Sequence, residues 1–163
     1  MSWSLPIVAA AAMLPLSAHS ADMAKEGTET HTNTWMGTSP TTPIKVGDHT
    51  VGTYEISGIR HNDNPDAVSA NMALRCLGIY ETVGTGPQRG RGSCIYTDKD
   101  GDQIMSTYEP KSESGGIETL VAGTGKFAGI SGTAEYTVVQ ILVKADDKLI
   151  RGVVTDKVHW KLP

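Results

Sequence analysis

From Thr50 to the C-terminus, apolar and polar side chains alternate with a period of two. That rhythm marks strands with one face in a core and the other toward water. Between Ala70 and Thr82 one face carries Ala70, Met72, Leu74, Cys76, Gly78 and Tyr80, and Asn71, Arg75 and Glu81 lie on the other. Near the C-terminus Ile150, Gly152, Val154, Asp156, Val158, Trp160 and Leu162 share a face, opposite Arg151, Thr155, Lys157, His159 and Lys161. Further strands are predicted over Thr50–Arg60, Ser93–Asp98, Gln103–Glu109, Gly116–Ala122 and Gly132–Val143. No stretch beyond residue 21 keeps a helical period for three turns. Short, turn-linked strands at this spacing form an antiparallel sandwich or barrel.

Two turns set registers. In Asp98-Lys99-Asp100-Gly101-Asp102 a three-residue loop with a left-handed Gly101 joins two strands. Asp98 then faces Asp102, Tyr96 faces Ile104 and Cys94 faces Ser106. A hairpin centred near Thr85 puts Cys76 directly opposite Cys94, each nine residues away. The pair either bonds or stays as two buried thiols, and an oxidising compartment favours the bond. A loop of this size is worth about 3 kcal/mol on the chain-entropy model.

Compartment and domain limits follow from the N-terminal half. Leu5 to Leu16 is an uncharged apolar run followed by small residues, long enough for a signal-peptide core and too short to span a bilayer. Residues 1–21 are therefore expected to be a signal peptide, and the chain to be secreted or periplasmic. Residues 22–48 are rich in threonine with Pro40 and Pro43, and read as a polar arm. In that arm Trp35-Met36 forms a short anchoring patch, and His31 is solvated. Residues 49–163 are the folded domain.

Composition narrows the partners. A chain of 163 residues supports one domain, and its 39% hydrophobic content is enough for a core. The net charge of −4 excludes a non-specific nucleic-acid binder, which needs a basic stripe. Asp98, Asp100, Asp102 and Glu109 fall at spacings of a calcium loop, but the position that requires glycine is Gln103. A plain hairpin is expected there, with no metal. The glycine-dense run Gly123 to Gly132 lacks both phosphate-loop and dinucleotide spacing, so no nucleotide cofactor is indicated. Its Phe127 and Ile130 are expected to plug one end of the sheet.

The segment 121–136, Val-Ala-Gly-Thr-Gly-Lys-Phe-Ala-Gly-Ile-Ser-Gly-Thr-Ala-Glu-Tyr, resembles the glycine-rich pattern of the allene oxide cyclase and dirigent barrels. Tyr54-Glu55-Ile56 is similar to the opening strand of the plant cyclases. The resemblance spans roughly Thr50 to Trp160. It implies an all-β fold, a closed antiparallel eight-stranded barrel of the allene oxide cyclase-like type with an apolar interior. It also implies a trimer, as in plant members, and a place among exported bacterial relatives. The plant cyclases continue their strand with Asn-Glu where this chain has Ser57-Gly58, so their second carboxylate is absent. Strand parity turns Glu55 outward.

Candidate chemistry comes from the inward face. Asp156 is the one charged residue on the apolar face of the last strand. A carboxylate there is either shifted up by desolvation, placed at the rim, or paired with Arg60, which shares parity with Tyr54 and Ile56. Asp156 and Tyr136 are the candidate proton-transfer groups. Tyr54, Tyr80, Gln140 and Asp156 are the candidate ligand contacts. Two functions are expected: an exported barrel that holds a small apolar ligand or serves a structural role in the cell envelope, or an isomerase or cyclase of a reactive apolar substrate. A barrel filled by Met72, Leu74, Tyr54 and Trp160 leaves only the non-catalytic reading.

Overall fold

The computed structural model describes residues 24–86, 88–142 and 149–163. The strands are β1 (Glu26–Thr38), β2 (Ile44–Val46), β3 (His49–His61), β4 (Met72–Val83), β5 (Arg89–Thr97), β6 (Gln103–Pro110), β7 (Gly115–Gly123), β8 (Ser131–Leu142) and β9 (Leu149–Lys161). A single 3-10 turn, Gly125–Phe127, joins β7 to β8. Every pairing is antiparallel, and neighbours in sequence from β3 to β9 are neighbours in the sheet. β1 pairs with both β9 and β3, so eight strands close into a barrel and no edge remains among them. The short β2 lies outside that ring and extends the edge beside the start of β3.

The closing strand is the main departure from expectation. Residues 22–48 were predicted as a loose arm, yet they contain β1, which pairs with β9 from Glu26↔Lys161 to Thr38↔Leu149. Its other edge pairs with β3 from Thr32↔His61 to Thr38↔Glu55. Thr28, Thr30, Thr32, Thr34 and Thr38 all face outward, where β-branched side chains suit a pleated surface. The inward positions are polar as well, with His31 and Asn33 buried. A strand that is polar on both faces shows no hydropathy alternation, and its composition imitates a tether.

The remaining strands follow the expected parity. The 98–102 turn has Asp98 N–H donating to the Asp102 carbonyl at 3.0 Å, with Gly101 at φ 87°. Tyr96 pairs with Ile104 and Cys94 with Ser106. Cys76 and Cys94 are register partners, joined by a disulfide with Cα atoms 4.0 Å apart. The acidic side chains of this turn serve the backbone and one lysine. Asp98 Oδ1 accepts the Asp100 and Asp102 N–H groups, and Lys126 Nζ pairs with Asp98 and Asp100. Among the described residues no group of three His, Cys, Asp or Glu side chains could hold a metal ion.

Apolar side chains fill one half of the barrel. Met72, Ile104, Leu120, Val158 and Trp160 pack there, and Phe127 and Ile130 close the end as plugs. Glu55 lies on the outer surface, accepting from Arg75 Nε at 2.7 Å. Closure demands tight approach where strands cross. A methyl at Gly58 would overlap the Thr34 carbonyl of β1, so that position of the seam admits only glycine without backbone movement.

Candidate functional site: an aromatic cavity above a buried ion network

Alternation along the strands turns all five tyrosines of the chain inward. They belong to β3, β4, β5, β6 and β8, and each lines a cavity of about 200 Å³ in the half of the barrel that the apolar core leaves open. An engineered cavity of about 150 Å³ accepts benzene, so this one has room for a compound of one or two rings. Gln88 in the β4–β5 connection, and Ser112 and Glu113 in the β6–β7 connection, stand at its mouth. Ile56, Val138, Ile150 and Val154 supply aliphatic wall, and the Cys76–Cys94 disulfide lies on it too.

The glycines explain how an eight-stranded barrel accommodates so many rings. Tyr80 lies over Gly52, Tyr54 over Gly78, Tyr136 over Gly116 and Trp35 over Gly152, each glycine being the ring's cross-strand partner. A methyl at any of these glycines would overlap the ring facing it. Aromatic rings thus lie flat against bare backbone, which widens the lumen and shields the glycine strands.

The phenols divide into three sets. Tyr54 and Tyr108 share a hydrogen bond of 2.5 Å between their hydroxyls. Tyr96 Oη donates to Glu118 Oε1 at 2.7 Å, at the floor of the cavity. The hydroxyls of Tyr80 and Tyr136 make no hydrogen bond to another described residue and remain available to a ligand. The Tyr136 ring meets Tyr108 edge-on, 6.5 Å between centroids. Burial, helped by the neighbouring Tyr54 and Glu118, pushes Tyr136 up to about 12. Burial likewise raises Tyr54 against the opposing effect of its Tyr108 hydrogen bond, and raises Tyr108 further. At neutral pH these phenols are uncharged and can donate.

Behind the floor lies an ion network whose Arg60, His31, Asn33 and Asp156 are buried and whose Glu29 is partly exposed. Asp156 is 2% exposed; its Oδ2 accepts from Arg60 Nη2 at 3.0 Å and from Asn33 Nδ2 at 2.6 Å. Its Oδ1 is 2.8 Å from His31 Nδ1. Arg60 also donates from Nε to Asn33 Oδ1 at 3.1 Å, and its Nη2 stands 3.5 Å from Glu118 Oε2. The guanidinium carbon sits 3.7 Å from the centroid of the Tyr96 ring, a cation–π contact. The far nitrogen of His31 meets Glu29 at 3.1 Å. Glu29 in turn accepts the Val68 N–H at 2.7 Å and the Ser69 hydroxyl at 2.9 Å, which ties the β3–β4 loop over this end.

Burial disfavours the charges of Asp156, His31, Arg60 and Glu29, and the partners decide the outcome. For Asp156, burial raises the pKa, but Arg60 and the His31 and Asn33 hydrogen bonds outweigh it, and the carboxyl lies below its ordinary range. For His31, burial opposes protonation, yet hydrogen bonds to Asp156 and Glu29 prevail and the pKa is raised. Both ring nitrogens face carboxylates, so only the imidazolium donates to both. Glu29 is lowered to about 2: burial opposes ionisation, and His31 with the Val68 and Ser69 donors overcomes it.

Tyr54, Tyr80, Tyr136 and Gln140 all line the cavity, Gln140 from an exposed position near its mouth. Asp156 does not line it; Asn33 stands on the wall while Asp156 lies in the network behind, paired with Arg60. His31, expected in solvent, is 1% exposed because Asp156 and Glu29 satisfy both its nitrogens. Trp35 and Met36, expected to act together as an anchor, point to opposite sides: Trp35 lines the cavity and Met36 is exposed. Sequence reasoning misses Glu118, although its place between Gly116 and Leu120 on one face is a usable signal.

No protein-family model and no curated protein sequence matches this chain. Among solved structures it is similar to two pterocarpan synthase dirigent proteins. For one the identity is 14%, with 94% of this chain and 100% of that chain covered and a TM-score of 0.47. For the other it is 17%, with 85% and 97% covered and a TM-score of 0.46. Among the described residues no helix is long and apolar enough to cross a membrane.

Proposed function

We propose that this barrel is an exported binding protein whose open half holds a small, largely apolar ligand of one or two rings. The observation that carries the reading is the convergence of five tyrosines and Trp35 on one cavity that the apolar core leaves empty. Most of a ring system's surface would be buried there, and the Tyr80 and Tyr136 hydroxyls would orient one polar group. Export, with residues 1–21 as the leader, is supported by the Cys76–Cys94 disulfide, since such bonds persist in oxidising compartments. The allene oxide cyclase-like grouping, a bacterial envelope setting and a trimeric assembly rest on the resemblance of segment 121–136.

A second reading, turnover of the ligand by isomerisation or cyclisation, is favoured by Tyr136. Its phenol stays protonated at neutral pH and lies on the cavity wall, where it would donate a hydrogen bond to charge developing on a substrate oxygen. Asp156 fits that chemistry less well, being locked between Arg60, Asn33 and His31.

Native mass spectrometry of protein purified without added ligand, followed by titration with one- and two-ring aromatic compounds, tests the binding reading. Val138→Trp, which fills the cavity from β8, is expected to abolish binding while the melting temperature stays within a few degrees. Equal binding to the filled variant would refute a ligand in the lumen.

A further inference from the structure

Resting on the reading that the cavity binds a ring-sized ligand, we infer that the ligand's polar group is a cation, an amine or quaternary ammonium, seated against Glu118. Three features support this. The first is the sign of the wall. Glu118 lines the floor at 4% exposure and Glu113 stands at the mouth, and among the described residues no lysine, arginine or histidine lines the cavity.

The second is the charge balance beneath the floor. Three carboxylates, Glu29, Glu118 and Asp156, share two cationic groups, Arg60 and His31. His31 is committed to Glu29 and Asp156, and Arg60 sits closer to Asp156 (3.0 Å) than to Glu118 (3.5 Å). Glu118 is therefore the carboxylate whose charge is least matched, and it is the one on the cavity surface. A bound cation would complete the balance; a bound anion would meet a carboxylate that shares its one cation, Arg60, with Asp156.

The third is the aromatic wall. Trp35, Tyr54, Tyr80, Tyr108 and Tyr136 surround the space above Glu118. Aromatic rings attract a desolvated cation through their quadrupoles, and more strongly than at an exposed site. The same barrel already seats one cation in this way, the Arg60 guanidinium on Tyr96.

The test uses two probes of nearly equal shape, phenyltrimethylammonium and its uncharged isostere tert-butylbenzene, titrated calorimetrically into the unaltered protein at pH 7. The cation is expected to bind at least tenfold more tightly. Glu118→Gln, which keeps an acceptor for Tyr96, is expected to reduce that preference to threefold or less without weakening the neutral probe. Equal or tighter binding of tert-butylbenzene to the unaltered protein would overturn the cationic inference and leave the cavity reading standing. Binding of neither probe would overturn both. Because the probe pair needs no substitution, a Glu118→Gln protein that failed to fold would leave the comparison decisive.

Discussion

Arg60→Met tests whether the barrel's closed end depends on its buried cation. Arg60 is 1% exposed and serves Asp156 at 3.0 Å, Glu118 at 3.5 Å and Asn33 at 3.1 Å. Methionine is similar in length and apolar, so the change leaves little void and chiefly takes the shared cation from Glu118 and Asp156, leaving Asp156 with the His31 cation alone. Removing one member of a buried ion pair costs about 3–5 kcal/mol, because the survivor stays desolvated. For a domain of this size that is a fall in Tm on the order of 10 °C or more. Urea unfolding at 25 °C with the disulfide intact, repeated from pH 4 to pH 8, measures the loss. The pH profile carries the sharper test. In the unaltered protein the Asp156 pKa is depressed, so its pairing contributes stability above the ordinary carboxylate range and loses it as pH falls through the depressed value. Without Arg60 the opposition to burial is weaker, so that pKa moves up from its depressed value, and the deficit is largest at neutral pH and shrinks on acidification. A loss below about 1 kcal/mol, or a deficit that is constant across the range, would refute the ion-network account.

Two further outcomes follow from the same geometry. His31 has a raised pKa in the folded state, so its contribution is complete below its unfolded value near 6.5 and is lost as pH rises through the folded value. Stability should therefore decline as pH rises above that unfolded value, and His31→Gln should flatten that slope; an unchanged slope would mean that His31 is not the group responsible. Reduction of Cys76–Cys94 opens an 18-residue separation and should cost roughly 3 kcal/mol, read as the difference between melts with and without reductant. A difference within experimental scatter would show that the strand pairing of β4 and β5 alone sets the register.

The sequence alone determined the features that depend on counting along the chain. Parity in β4 and β9, the 98–102 turn, and the opposition of Cys76 to Cys94 need only a period of two and a known turn. The inward aspect of Tyr54 and Tyr80 was legible for the same reason. Tertiary structure decided what parity cannot: which polar side chains lie inside. His31 and Asp156 are 125 positions apart, and neither is a reasonable interior residue until the other is present. Hydropathy scores a side chain against water, whereas a buried charge is judged against its partners. For that reason β1, inward-polar and closing the barrel, imitated a tether, and Glu118 went unremarked until Arg60 and Tyr96 stood beside it. The open half of the lumen is likewise a three-dimensional outcome, produced where rings from separate strands lie over one another's glycines.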